Sequence, residues 1–213
     1  MGTITGRNVK IEVALTFDSA LTVSAVTKAS PPVATSTSHG SLDGEVGFFT
    51  VTAGMVELQE QAFMADNVAT NTWEMPGLDS TDYSTFTAGT ATMAATWGTV
   101  SEAAGYTVGG GAPAQLDDTR LTDTKTTNIA GNLASEDLNI DVRNAEVDGA
   151  AMAFIAGKAQ RGLPILIKIS KASQVLRVFY GIPGRPGESV SAGGAATGQF
   201  GLVGRGWVVK PNA

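Results

Sequence analysis

Short runs of alternating apolar and polar residues, each closed off by Gly, Pro, Asn, Asp or Ser, recur along most of this chain and constrain it to a β-rich fold. VKIEVAL (9–15) places Val9, Ile11, Val13 and Leu15 on one strand face, and LTVSAV (21–26) follows after a short turn, so the two predict an opening hairpin. EVGFFTV (45–51), QAFMADNV (61–68) and TWEM (72–75) predict further short strands, with the Thr-Asn-Thr at 70–72 as a tight turn. PGLDSTDYSTFTAGT (76–90) reads as a surface connection. LNIDV (138–142), LPILIKIS (163–170), QVLRVFYG (174–181) and QFGLVGRGWVV (199–209) complete the strands, the last three as antiparallel neighbours.

One segment breaks the two-residue period. In NAEVDGAAMAFIAGKAQRG (144–162), Val147, Ala151, Phe154 and Lys158 form one helical row and Met152, Ile155 and Ala159 another. Asn144 is the expected cap, Glu146 and Asp148 suit the first turn, Lys158 and Arg161 suit the last, and Gly162 and Pro164 end the helix. A sheet with one packed helix follows. The polar stretch Gly109–Ser135 has little apolar periodicity and exceeds most connections in a compact domain, so it is either mobile alone or ordered by a partner, and long loops of this kind are often functional.

Charge is segregated along the sequence. No lysine or arginine lies between Lys28 and Arg120, a span that holds acids from Asp43 to Asp118. After Asp148, Lys158, Arg161, Lys168, Lys171, Arg177, Arg185, Arg205 and Lys210 face a single acid, Glu188. Such asymmetry serves either solubility or contacts between opposite faces of neighbouring copies.

The composition narrows the chemistry. With 213 residues the chain buries one good core or two modest ones. Zero cysteines remove disulfides and thiolate chemistry, and a single histidine rules out a multi-histidine metal site within one chain. MGTITGRNVKIEVALTF lacks an apolar run of about 7 to 15 residues behind a basic start, and no stretch approaches about 18 uninterrupted apolar residues. The expectation is a soluble chain made in the cytosol, without stable membrane association.

His39 lies among Ser36, Ser38, Ser41 and Asp43, but a triad is defined by geometry and no GxSxG elbow is present. The carboxylate pairs Asp117/Asp118, Glu136/Asp137 and Asp79/Asp82 match no calcium loop and read as turn residues. Gly109–Gly111 lacks the GKT or GKS ending of a phosphate loop. Phe179, Tyr180, Phe200 and Trp207 among late basic residues raise single-stranded nucleic acid as a ligand, against which stands an isoelectric point near 4.7. The reading is of a protein without cofactor, metal or enzymatic activity.

Four landmarks in order carry a resemblance. Ala34–Gly40 follows a V-T-x-x-x-H-G pattern with alanine first, Gly44–Val46 follows G-D-x-V without its Asp, Gly54–Leu58 reads G-M-x-E-L, and Asn71–Trp73 reads N-T-W. Residues 23–86 thus resemble the small β module of several phage virion proteins. The flanking chain is similar to tail tube proteins of long-tailed, siphovirus-like phages, through GRNVKIEVAL, the polar QLDDTRLTDTKTTNIAGNLASEDLNIDV block, the single helix and the closing GLVGRGWVV.

The resemblance implies a mainly β fold: an antiparallel β-sandwich or barrel core (1–22 and 91–213, helix about 145–160) with one packed α-helix, and an inserted small β module (23–90) that projects from it. It implies a virion protein, made in the host cytoplasm, whose hexameric rings stack into the tube through which double-stranded DNA passes during ejection. Its implied partners are copies of itself, the tape measure protein, the tail terminator and distal tail proteins. Candidate contacts between rings are Asp117, Asp118, Arg120, Asp123 and Lys125; candidate interface charges are Lys158, Arg161, Arg177, Arg185, Arg205, Glu136 and Asp137. DNA sliding disfavours a positive lumen, so Lys168, Arg177 and Arg205 are expected outside it. The alternative function is a receptor- or carbohydrate-binding virion module.

Overall fold

The computed structural model describes residues 9–101, 103–109, 113–118, 125, 128–133, 136–143, 149–172, 174–189, 196–206 and 209–211. The first half supplies β1 (Val9–Phe17), β2 (Leu21–Val23), β3 (Ala25–Val26), β4 (Val33–Thr35), β5 (Val46–Ala53), β6 (Ala62–Met64), β7 (Thr72–Glu74) and the long β8 (Ala88–Thr99). The second half supplies β9 (Ala103–Gly109), β10 (Pro113–Asp117), β11 (Asn128–Leu133), β12 (Asp137–Arg143), helix α1 (Ala150–Arg161), β13 (Ile165–Lys171), β14 (Gln174–Pro183), β15 (Gly187–Ser189) and β16 (Thr197–Gly204). The chain is mainly β, with antiparallel sheets packed together and one α-helix among the described residues.

Eleven strands form one sheet along the path β6-β5-β8-β1-β13-β14-β16-β12-β9, with β2 beside β8 and β15 beside β16. Two small sheets, β3-β4-β7 and β10-β11, stand off this path. The expected opening hairpin does not form: β1 pairs with β13 and β8, while β2 pairs with β8. The reason lies in β1 itself, which buries Ile11 and Val13 on one face and Ala14 on the other. A strand covered on both faces belongs inside a sheet rather than in a two-stranded ribbon.

Those faces belong to two hydrophobic clusters. On one side Ile165, Ile167, Ile169 and Phe179 meet Leu138, Ile140 and Val142 of β12, Phe200 and Leu202 of β16, and Ala151, Met152 and Ile155 of α1. On the other, Leu166, Val178 and Tyr180 meet Phe49, Phe63, Trp73, Met55 and Leu58. Alternation along β13 and β14 sends successive side chains to opposite layers. Segment 23–90 is therefore folded over the outer face of β13 and β14 rather than projecting from it. β8 runs through both parts, pairing with β5 at one end and β1 at the other.

Residues 76–90 are more than a surface connection, because Leu78, Ser80 and Phe86 are buried and β8 begins at Ala88. Helix α1 starts at Ala150 with Gly149 as its cap; the expected cap Asn144, with Glu146 and Asp148, lies outside the described residues. Its end matches expectation: Gly162 is left-handed (φ 62°), and Leu163 N–H reaches back to the Lys158 carbonyl at 3.0 Å. The polar 109–135 stretch contains the β10-β11 ribbon, set apart from the large sheet.

Candidate functional site

Two of the four landmarks of segment 23–90, at His39 and at Asn71–Trp73, meet at one corner. His39 is buried with its ring edge-on to Trp73, centroids 4.8 Å apart, and Trp73 stacks in turn near Phe63. His39 Nδ1 accepts the Ser41 backbone N–H at 3.1 Å, which places the ring proton on Nε2. Asn71 Oδ1 accepts the Ser38 N–H at 2.8 Å, and the Asn71 carbonyl accepts the Ser36 N–H at 2.9 Å. Gly54 adopts φ 92° against the backbone of Thr85, which leaves no room for a Cβ and turns the chain into Met55 and Leu58, both fully buried.

That geometry assigns His39 to packing. Nε2 is buried without a hydrogen-bond partner, and Nδ1 is occupied by a backbone donor, so neither nitrogen is presented to a substrate. Asp43 Oδ1 accepts the Val68 N–H at 2.8 Å rather than a proton from the imidazole. Ser38–Asp43 and Val68–Thr70 do line an open groove of about 670 Å³ at the surface, with Leu42 exposed on its rim.

The acidic pairs are likewise local. Asp79 Oδ1 accepts both the hydroxyl and the N–H of Thr81, at 2.7 and 3.1 Å, and these bonds hold its carboxyl below the usual range. Glu57 is lowered by its own backbone N–H and by Ser84, which donates through hydroxyl and amide. Asp117 and Asp118 are exposed, Glu136 is half-buried and Asp137 is exposed. Among the described residues no group of three His, Cys, Asp or Glu is placed to hold a metal ion. Gly109 ends β9, while Gly110 and Gly111 lie outside the described residues.

The chain matches no protein-family model and no curated protein. Lys125, Arg161 and Arg185 are exposed, and Lys158 Nζ lies 5.1 Å from the centre of the Phe154 ring. Arg120 and Asp123 lie outside the described residues. Arg177 is half-buried with its Nε unpartnered. Lys168 sits 3.4 Å from Glu12 and 4.2 Å from the centre of the Trp97 ring. Arg205 meets Glu60 at 2.9 Å. Two late basic residues thus find acids of the first half of the same chain.

The element that sequence reasoning missed is the seam where segment 23–90 meets the large sheet. Phe48 stacks on Tyr180 with centroids 4.4 Å apart and 12° between planes, and meets Phe17 edge-on at 5.5 Å. Burial, with Glu60 nearby, pushes the Tyr180 hydroxyl up to about 12, and Arg205 opposes that rise. Only the glycines of GLVGRGW hinted at a close approach. Gly204 and Gly206 each bring backbone against backbone, Gly206 beside Glu60 and Gln61.

Proposed function

We propose that the chain is a non-enzymatic structural subunit that assembles into stacked hexameric rings, the tail tube of a long-tailed phage, in the virion. The observation that carries this reading is β9. Among the described residues it is the terminal strand of the large sheet, paired with β12 alone, and its sequence AAGYTVG contains no charge and no proline. Free strand edges normally carry such residues to prevent pairing with another chain. An edge without them suits a head-to-tail contact repeated around a closed ring.

Two further features support the reading. Among the described residues the β10-β11 ribbon is a separate two-stranded sheet, and a two-stranded pair gains most of its stability by docking on something else. Asp117, Asp118 and Lys125, exposed on or beside it, are the proposed contacts between rings. The outward residues of β12 are Asp137, Asn139, Asp141 and Arg143, and a polar face with more acid than base suits a channel past which DNA slides. The tape measure, terminator and distal tail proteins would then bound the tube.

Sedimentation velocity tests the ring directly: a species of six chains is expected, and a monomer at all concentrations would overturn it. The open groove beside His39 favours a second reading, a receptor- or carbohydrate-binding virion module. Glycan binding by a non-assembling monomer would select that reading instead.

A further inference from the structure

An apolar cleft of about 270 Å³ opens between β1 and β9, lined by Val9, Ile11, Ala103, Ala104, Gly105 and Tyr106. Its origin is a mismatch of strand lengths. β8 pairs with β1 only as far as Glu12, and after a turn at Val100 the chain leaves as β9 to pair with β12. Among the described residues no ladder joins β9 to the start of β1. The β9-β12 register also slips between Asp141 and Val142, which leaves Ala104 unpaired and exposed on one wall. Val9, Ala103 and Tyr106 pack on the cluster beneath helix α1, so the floor of the cleft is apolar.

Charge sits at its borders. Lys171 lies directly across the β1-β13 ladder from Val9, and Arg143 follows Val142, the partner of Ala103. Asp141 stands beside Gly105, but its Oδ1 accepts Gln199 Nε2 at 3.1 Å. Lys10 is turned to Glu12, 2.6 Å away, and Glu102 lies outside the described residues.

Segment 23–90 carries a projection that fits such a cleft. Leu42 is 67% exposed, yet its turn is fixed by three hydrogen bonds: the Leu42 carbonyl accepts the Glu45 N–H at 3.2 Å, the Gly44 N–H donates to the Ala65 carbonyl at 2.8 Å, and Asp43 Oδ1 accepts the Val68 N–H at 2.8 Å. Gly40 and Gly44 flank it in left-handed conformations with open space around both. The turn thus presents one large apolar side chain outward with little further ordering needed to bury it. Asp43 and Glu45 border that side chain, in a stretch of sequence without lysine or arginine.

We propose that the Leu42 turn of one copy seats in the β1-β9 cleft of the next, with Asp43 and Glu45 toward Lys171 and Arg143. Tip and cleft are different patches of the surface, so the contact is head to tail and repeats from copy to copy. It rests on the association between copies proposed above and supplies the partner for its β9 side, but it does not require closure at six.

The chain has no cysteine, so Leu42→Cys and Ala104→Cys, both at exposed positions, can be mixed and oxidised without background. A disulfide-linked mixed dimer is expected. Val56→Cys, similarly exposed but outside the turn, should give none with Ala104→Cys. Leu42→Ala should weaken association roughly tenfold, as for an apolar anchor at the centre of a contact. Lys171→Glu/Arg143→Glu should weaken it at low salt and much less at high salt. Cross-linked pairs without a species of six chains support this contact and refute the ring. A species of six chains that forms without the cross-link, or that Leu42→Ala leaves as tight as before, overturns the contact and leaves the ring standing. Monomers at every concentration with no cross-link overturn both.

Discussion

Replacing Phe48 with alanine removes the ring that joins the two layers. Full burial of a phenylalanine makes such a truncation cost about 3 to 5 kcal/mol. Phe48 is half-buried, which reduces that figure by roughly half, but it also loses a stacked partner and an edge-on partner, each worth about 0.5 to 1.5 kcal/mol. The expected destabilisation is therefore about 2.5 to 5.5 kcal/mol. Urea titration in a Trp97→Phe/Trp207→Phe background, followed by the fluorescence of Trp73 and by far-ultraviolet dichroism, reads it, since Trp73 lies in one layer and most strands of the sheet report in the other signal. In that background the two signals should coincide. In Phe48→Ala the midpoint should fall without a change in slope, and combining it with Tyr180→Leu should give a coupling of about 0.5 to 1.5 kcal/mol. A loss below about 0.5 kcal/mol, or separate transitions in the background chain, would refute the shared core.

Two further outcomes follow from the same seam and corner. His39→Ala should lower stability by about 1 to 3 kcal/mol through loss of the Ser41 bond and the Trp73 contact, measured by thermal unfolding; an unchanged midpoint would contradict a packing role. Because the folded Tyr180 hydroxyl ionises near 12 and the unfolded one near 10, its contribution is complete below pH 10 and is lost as pH rises toward 12. Tyr83, raised mainly by burial, acts in the same sense, so the comparison is with Tyr180→Phe, which should show a shallower alkaline decline; identical declines would place the cause elsewhere.

Local pattern carried most of the β assignment. Alternation in VKIEVAL and the apolar LPILIKIS marked strands directly, and Gly162 marked the helix end through its left-handed conformation. β8 escaped because AGTATMAATWGT alternates small residues with threonine and methionine, leaving little hydrophobic contrast, although Ala91 and Met93 are fully or nearly fully buried. Its length of 12 residues organises both layers. The early hairpin was misread because neighbouring strands in sequence suggested pairing, while long-range burial on both faces of β1 decided against it. At the corner, the histidine, glycine and tryptophan motif was legible, and the structure supplies its reason: each landmark closes a turn or fills the space around Trp73. The Phe48–Tyr180 stack and the Arg205–Glu60 pair join residues far apart in sequence, beyond the reach of any local period.

Electron microscopy of the concentrated, purified chain tests assembly most directly. Stacked six-membered rings, with the β9 edge and β10-β11 ribbon at contacts between copies and the Asp137–Asp141 face toward the lumen, are predicted. Dispersed monomers, or rings whose lumen is lined by Lys168, Arg177 and Arg205, would contradict the account.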